Sequence, residues 1–129
     1  MDLHCPYMRG HYNEFVYFAG GPNQDNWREV GRFARILESV RKGPLPHHTR
    51  NNLPFGQAWN TGDPRKGLKG FIGWSEALEN VPMAAALEIP YANAESKAVT
   101  ARSARLLGKD LARALRRYLQ ARIPASQGS

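Results

Sequence analysis

Apolar positions along the chain fall into short blocks separated by glycine and proline. Asn13 to Ala19 contains Phe15, Val16, Tyr17 and Phe18 and runs into Gly20-Gly21-Pro22, the pattern of a buried strand leaving into a turn. Beyond it, Trp27, Val30, Phe33, Leu37 and Val40 recur at helical spacing, about one buried face wide. Asn26 followed by Glu29 predicts a capping box at the start of this helix, and Lys42-Gly43-Pro44 predicts its end. From Gly43 to about Gly73 there is no period, and Pro44, Pro46, Pro54, Pro64, Gly43, Gly56, Gly62, Gly67 and Gly70 punctuate the stretch. A structureless run of ~30 residues is uncommon inside a compact domain, so Leu53-Pro54-Phe55-Gly56 and Trp59-Asn60-Thr61-Gly62 are expected to be surface-forming loop motifs.

Phe71 to Asn80 predicts a short helix under Trp74 and Leu78. Met83 to Ile89, bounded by Pro82 and Pro90, suits a central buried strand; its alanines keep a helix open, but only seven residues lie between the prolines. The clearest element is the last. Thr100 predicts the cap of a helix on which Ala104, Leu107, Leu111, Leu115 and Tyr118 repeat, with arginines on the other sides and an end near Arg122. Residues 123–129 read as a polar tail, and no internal repeat is visible. Strand, helix, loops, strand and helix make an α/β alternation, which predicts helices packed on a mixed or parallel sheet.

Composition narrows the class. At 129 residues the chain has the size of one domain, and 42% hydrophobic against 22% charged residues excludes a disordered polar tail. No run approaches the ~20 apolar residues of a spanning helix, so no membrane partner is expected. Cys5 is the sole cysteine, which excludes an intramolecular disulfide and a thiolate-rich structural zinc site. The start, Met1-Asp2-Leu3-His4-Cys5-Pro6, has neither a basic nor an apolar signal region, so the default compartment is cytoplasmic. The net charge of +7 sits mainly in the last third, where Lys97, Arg102, Arg105, Lys109, Arg113, Arg116, Arg117 and Arg122 face only Glu95 and Asp110. Such a face can bind nucleic acid or anionic lipid by charge alone, but a basic face is more often a solvated helix surface, and that is the expectation here.

Glu88 is the most informative single residue, because it interrupts an otherwise apolar strand. A carboxylate there is costly unless it is paired, protonated or bound to a cation, and each of these environments moves its pKa. Satisfaction by loop N–H groups or an arginine is the structural alternative. His4 lies at the end of an apparent strand, where a side chain projects into a cleft; as a metal ligand it supplies one nitrogen, and a catalytic zinc takes three protein ligands plus water. His11-Tyr12-Asn13-Glu14 is a local H-x-x-E, a short pattern that also arises by chance, and His47-His48 reads as a pair of solvated loop histidines. Cys5 and His4 are neighbours on a strand and point to opposite faces, which disfavours a thiol nucleophile with its base. H-E-x-x-H, P-loop, G-x-G-x-x-G, G-x-S-x-G and C-x-x-C motifs are absent.

Taken in order, Asp2-Leu3-His4-Cys5-Pro6, Asn13-Glu14 before an aromatic strand, Leu53-Pro54-Phe55-Gly56, Trp59-Asn60-Thr61-Gly62, Ala86-Leu87-Glu88-Ile89-Pro90-Tyr91-Ala92-Asn93 and the helix Ser103 to Leu115 resemble the C-terminal half of zinc carboxypeptidase-like proteins, the carboxypeptidase A clan. The match runs over nearly the whole chain. The resemblance implies part of an α/β/α sandwich on a mixed, mostly parallel sheet over residues 1–122. It implies a zinc cofactor with His4 as the third ligand and Glu88 as the general base, and a peptide or related amide-linked substrate. In that family the H-x-x-E pair and the arginine and asparagine clamp precede the third ligand, whereas His11 and Glu14 follow His4. No tyrosine lies between Trp59 and Glu88, where the family's mobile substrate-binding tyrosine is expected.

The expectation is therefore a C-terminal portion of such a domain, with the missing N-terminal half as its partner, weak zinc binding and no appreciable activity alone. An unpaired strand edge and an uncovered apolar face are expected with it. Two other classes remain: a non-catalytic interaction protein that retains the fold, and a module that uses the basic terminal helix on nucleic acid. The second lacks aromatics for stacking on single strands and any recognised DNA-binding motif.

Overall fold

The computed structural model describes residues 1–62 and 70–122. Pro64 and Gly67 of the predicted loop region, and the polar tail 123–129, lie outside the described residues. The elements in chain order are β1 (Asp2–His4), β2 (Tyr17–Ala19), α1 (Gln24–Val40), α2 (Phe71–Ser75), β3 (Ala86–Glu88), β4 (Asn93–Ala94), β5 (Lys97–Ala98) and α3 (Ala101–Gln120), with 3-10 turns at His11–Glu14 and Thr49–Asn51.

β1, β3 and β2 form one sheet in that order, with β3 at the centre. β1 runs parallel to β3 and β2 antiparallel to it. The class is α/β with a mixed sheet, as the alternation of elements predicts. One pairing of each kind, however, departs from the mostly parallel sheet implied by the resemblance. The apolar block Met83 to Ile89 supplies the central strand only over Ala86–Glu88, and Ala84, Ala85, Leu87 and Glu88 are buried. The aromatic block before it is strand only over Tyr17–Ala19; its front half coils into the turn at His11–Glu14.

One sheet face carries Leu87 and Phe18, which join Val30, Phe33, Ala34 and Leu37 of α1 and Leu107, Leu111, Ala114 and Tyr118 of α3 in the main core. Phe18 meets Phe33 edge-on at 5.7 Å between ring centroids, and Phe33 meets Tyr118 at 5.8 Å. Both long helices therefore cover the same face. The buried stripe of α1 follows the predicted spacing, with Trp27 and Val40 partly buried at its ends. Its cap does not. Asn23, not Asn26, accepts the first N–H groups, those of Asp25 and Asn26. Asn26 clamps the segment leading into β3 instead: its Nδ2 donates to the Ala84 carbonyl and its Oδ1 accepts from the Ala84 N–H, both at 2.8 Å. On α3, Thr100 caps as predicted, with a reciprocal bond to Ser103. The buried stripe of α3 is Ser103, Leu107, Asp110, Leu111, Ala114 and Tyr118; Ala104 is exposed.

Among its described residues, the period-free stretch after α1 contains no long element, yet it covers the outer edge of β2. Val16 bridges to His47 and Ala19 to Leu53, both in parallel sense. The Leu53 N–H donates to the Phe18 carbonyl at 2.9 Å, the Gly20 N–H to Leu53 at 2.8 Å, and the Phe18 N–H to the Asn52 side chain at 3.0 Å. An irregular segment thus satisfies backbone groups that an open edge exposes. Where this stretch leaves α1, the carboxylate of fully buried Asp110 accepts the Lys42 and Gly43 N–H groups, both at 2.9 Å, and also pairs with Arg113. A side chain at Gly43 would meet that carboxylate at 2.8 Å, which explains a glycine there. Among the described residues no helix is long and apolar enough to cross a membrane.

Candidate active site

Strand pairing brings the two sequence-predicted site residues together from opposite ends of the chain. His4 is the register partner of Glu88 across β1 and β3, and Tyr17 is the partner of Glu88 across β2. Register partners share a face, and alternation adds Asp2, Ala86 and Ala19 to it. This is the face opposite the helices. It forms the floor of a cleft of about 1050 Å³ with walls that include Phe55, Trp59, Phe71 and Ile72.

Glu88 is 7% exposed, and its Oε2 is buried without a hydrogen-bond partner among the described residues. Burial pushes its carboxyl above the usual range; His4 pulls it down and Asp2 raises it further. Among the described residues, the arginine or N–H partner that would make Glu88 purely structural is not found at this oxygen. Asp2 lies 2.6 Å from His4 Nδ1. A carboxylate on one imidazole nitrogen fixes the tautomer and leaves Nε2 to face a ligand, the arrangement that supports metal-binding histidines. One oriented imidazole beside an orphaned carboxylate fits one ligand and the base of a zinc site. Among the described residues no group of three His, Cys, Asp or Glu side chains is placed to hold a metal.

Tyr17, which the sequence did not single out, shares the strand face of Glu88 but does not line the cleft. It is fully buried, Trp59 Nε1 donates to its hydroxyl at 3.1 Å, and burial with the nearby Glu88 charge holds its pKa above the ordinary tyrosine range. Its place was encoded only by alternation within an aromatic run. The Trp59-Asn60-Thr61-Gly62 motif is a pinned loop, as Asn60 Nδ2 donates to the Gly20 carbonyl at 2.8 Å and the Gly56 N–H to the Asn60 carbonyl at 2.7 Å. Gly56 takes φ +87°, open to glycine without strain. At Gly20 a Cβ would stand 2.9 Å from the Trp27 ring and 3.2 Å from the Phe55 nitrogen, so the loop approaches the strand end only because no side chain is there.

The remaining histidines lie elsewhere. His11 and Glu14 sit in the 3-10 turn and are not cleft residues. His47 is fully buried, contrary to the expected solvated pair; it stacks edge-on to Phe18 at 5.4 Å, and burial lowers its pKa to about 4. The bridge to Val16 pulls it inward. His48 joins α1 to the β4–β5 hairpin, with Nδ1 3.2 Å from Glu38 and Nε2 3.6 Å from Glu95. Cys5 is exposed at the cleft rim. Compared with protein-family models, curated proteins and solved structures, the chain has no match.

Proposed function

We propose that the cleft is the hydrolytic site of a zinc carboxypeptidase-like hydrolase acting on peptide or related amide bonds, with the described sheet and helices as part of that family's α/β/α sandwich. The observation that carries this reading is the in-register pairing of His4 with Glu88 on the cleft floor, with Glu88 Oε2 unsatisfied. His4 would supply one zinc ligand through Nε2, with Asp2 holding the ring; two further ligands come from outside this pair. When bound, the metal supplies a water of lowered pKa and a polarised scissile carbonyl. Glu88 accepts the water proton and delivers it to the leaving amine. Its raised pKa brings the carboxylate nearer to the working range of a general base. Phe55, Trp59 and Phe71 give the cleft an apolar wall against which the side chain of a substrate can pack.

A zinc titration followed by imidazole ¹⁵N shifts tests the assignment. His4 is expected to respond first, with weak affinity that His4→Gln removes and Glu88→Gln leaves in place. Zinc held equally by the His4→Gln variant would overturn the ligand role. With zinc added, the chain alone is expected to show no appreciable peptide hydrolysis; turnover abolished by Glu88→Gln would uphold the base but refute the incomplete ligand set.

A further inference from the structure

The strongest charge feature outside the cleft is the exposed side of α3. Arg102, Arg105, Lys109, Arg113 and Arg116 are all exposed and follow one another at steps of three or four residues. At about 100° per residue these positions fall within an arc of about 80°, and at 1.5 Å per residue they form a line about 21 Å long. The arc lies opposite the buried stripe. The helix has a single acid, Asp110, and it faces the core, where it accepts the Lys42 and Gly43 N–H groups as well as Arg113. Asp110 thus pairs with Arg113 from the core side, and the helix carries no carboxylate for Arg102, Arg105, Lys109 and Arg116.

This arrangement opposes folding of the isolated helix twice. Neighbouring like charges three or four residues apart repel one another. Arg102 also stands in the first turn, where the helix dipole disfavours a cation and no acidic residue is present. A linear polyanion laid along the row relieves both.

We propose that this face of α3 docks the phosphate backbone of a double-stranded nucleic acid. The cations form a narrow line rather than a disc, which complements a charged rod. Four of the five are arginines, whose planar forks match phosphate oxygens. Beside the line lie the exposed small residues Ala101, Ala104, Gly108 and Ala112, which allow a backbone to approach closely. A membrane surface is the poorer fit, since the apolar stripe of α3 is already buried in the core and Leu119 is the large exposed apolar residue that remains on the helix. A single strand is also poorer, since the face presents no aromatic ring for stacking. Docking on phosphate alone predicts binding without sequence preference.

The test is fluorescence anisotropy with the full chain and a labelled 20-base-pair duplex over a salt series. With four to five phosphates engaged at about −0.9 each, the log–log salt slope is expected between about −3.6 and −4.5. Arg105→Gln, Lys109→Gln and Arg116→Gln together are expected to weaken binding at least tenfold in 0.1 M salt and bring the slope to about −1.8 or shallower. Arg9→Gln, Arg50→Gln and Lys97→Gln remove the same charge from other exposed positions and are expected to cost less than about threefold. Helical circular dichroism confirms that both triple variants fold. Undetectable duplex binding, equal losses in the two triple variants, or tighter binding to a single strand or to phosphatidylserine vesicles would each overturn the proposal.

Discussion

Replacing Glu88 by glutamine should make the protein more stable at neutral pH while removing its proposed base. Glu88 is nearly fully buried, its Oε2 has no partner, and burial raises its folded-state pKa above the ordinary carboxylate value. The folded chain therefore keeps this proton where the unfolded chain has released it. Stability present below the ordinary carboxylate pKa is lost as pH rises through the raised value. Glutamine does not titrate and so does not suffer this loss, although its amide still needs a partner. A neutral buried polar group without one costs about 1–3 kcal/mol and a charged one more, so the difference gives a gain on the order of 1 kcal/mol for Glu88→Gln at pH 7.5. For a chain of this length that is a rise in Tm of about 3–5 °C. Thermal melts of both proteins at pH 7.5 and pH 4 measure it. The gap should be widest at pH 7.5 and close toward pH 4, where wild-type Glu88 is protonated. A variant less stable than wild type at pH 7.5, or a gap independent of pH, would refute the claim that an unsatisfied charge sits at this position.

Three further outcomes follow from the packing. His47, neutral because burial lowers its pKa from the ordinary 6.5 to about 4, has the opposite sign to Glu88: its contribution is present at pH 7 and is lost as pH falls from 6.5 toward 4. That difference is roughly 3 kcal/mol at about 1.4 kcal/mol per pH unit, so urea midpoints should fall between pH 7 and pH 4, and His47→Phe should shrink the fall. Asp110→Ala leaves the Lys42 and Gly43 N–H groups without their acceptor and should cost about 3 kcal/mol in urea unfolding, with Asp110→Asn closer to wild type. Gly20→Ala drives a methyl against the Trp27 ring and the Phe55 backbone and should cost about 1–3 kcal/mol by thermal melt, with a shift in Trp fluorescence as the cleft wall moves.

The helices were legible because their signals are local. The apolar stripe of α1 and the Thr100 cap of α3 depend on residues a turn apart, and the structure keeps both. The cap of α1 was misread because Asn23, Asn26 and Glu29 all satisfy cap preferences, and Asn26 was drawn off by the backbone leading into β3, far along the chain. The β4–β5 hairpin gave no signal. Its turn is Glu95-Ser96, both at positive φ, where Asn or Gly is the usual residue, and Asn51 and His48 hold Glu95 from outside the hairpin. His47 was read as solvated because its neighbours in sequence are polar, whereas its neighbours in space are Phe18 and Val16.

By itself the sequence determined the α/β class, the two long helices, the buried central strand and the anomaly of Glu88 within it, since each follows from periodicity, capping and the cost of burying a charge. The tertiary structure decided what surrounds that carboxylate. Strand order and register set His4 and Tyr17 on either side of Glu88, placed Asp2 on the histidine ring and left Oε2 without a partner. Register is a long-range property, fixed by which faces the core requires to be apolar, and no local pattern around residue 4 or residue 17 contains it.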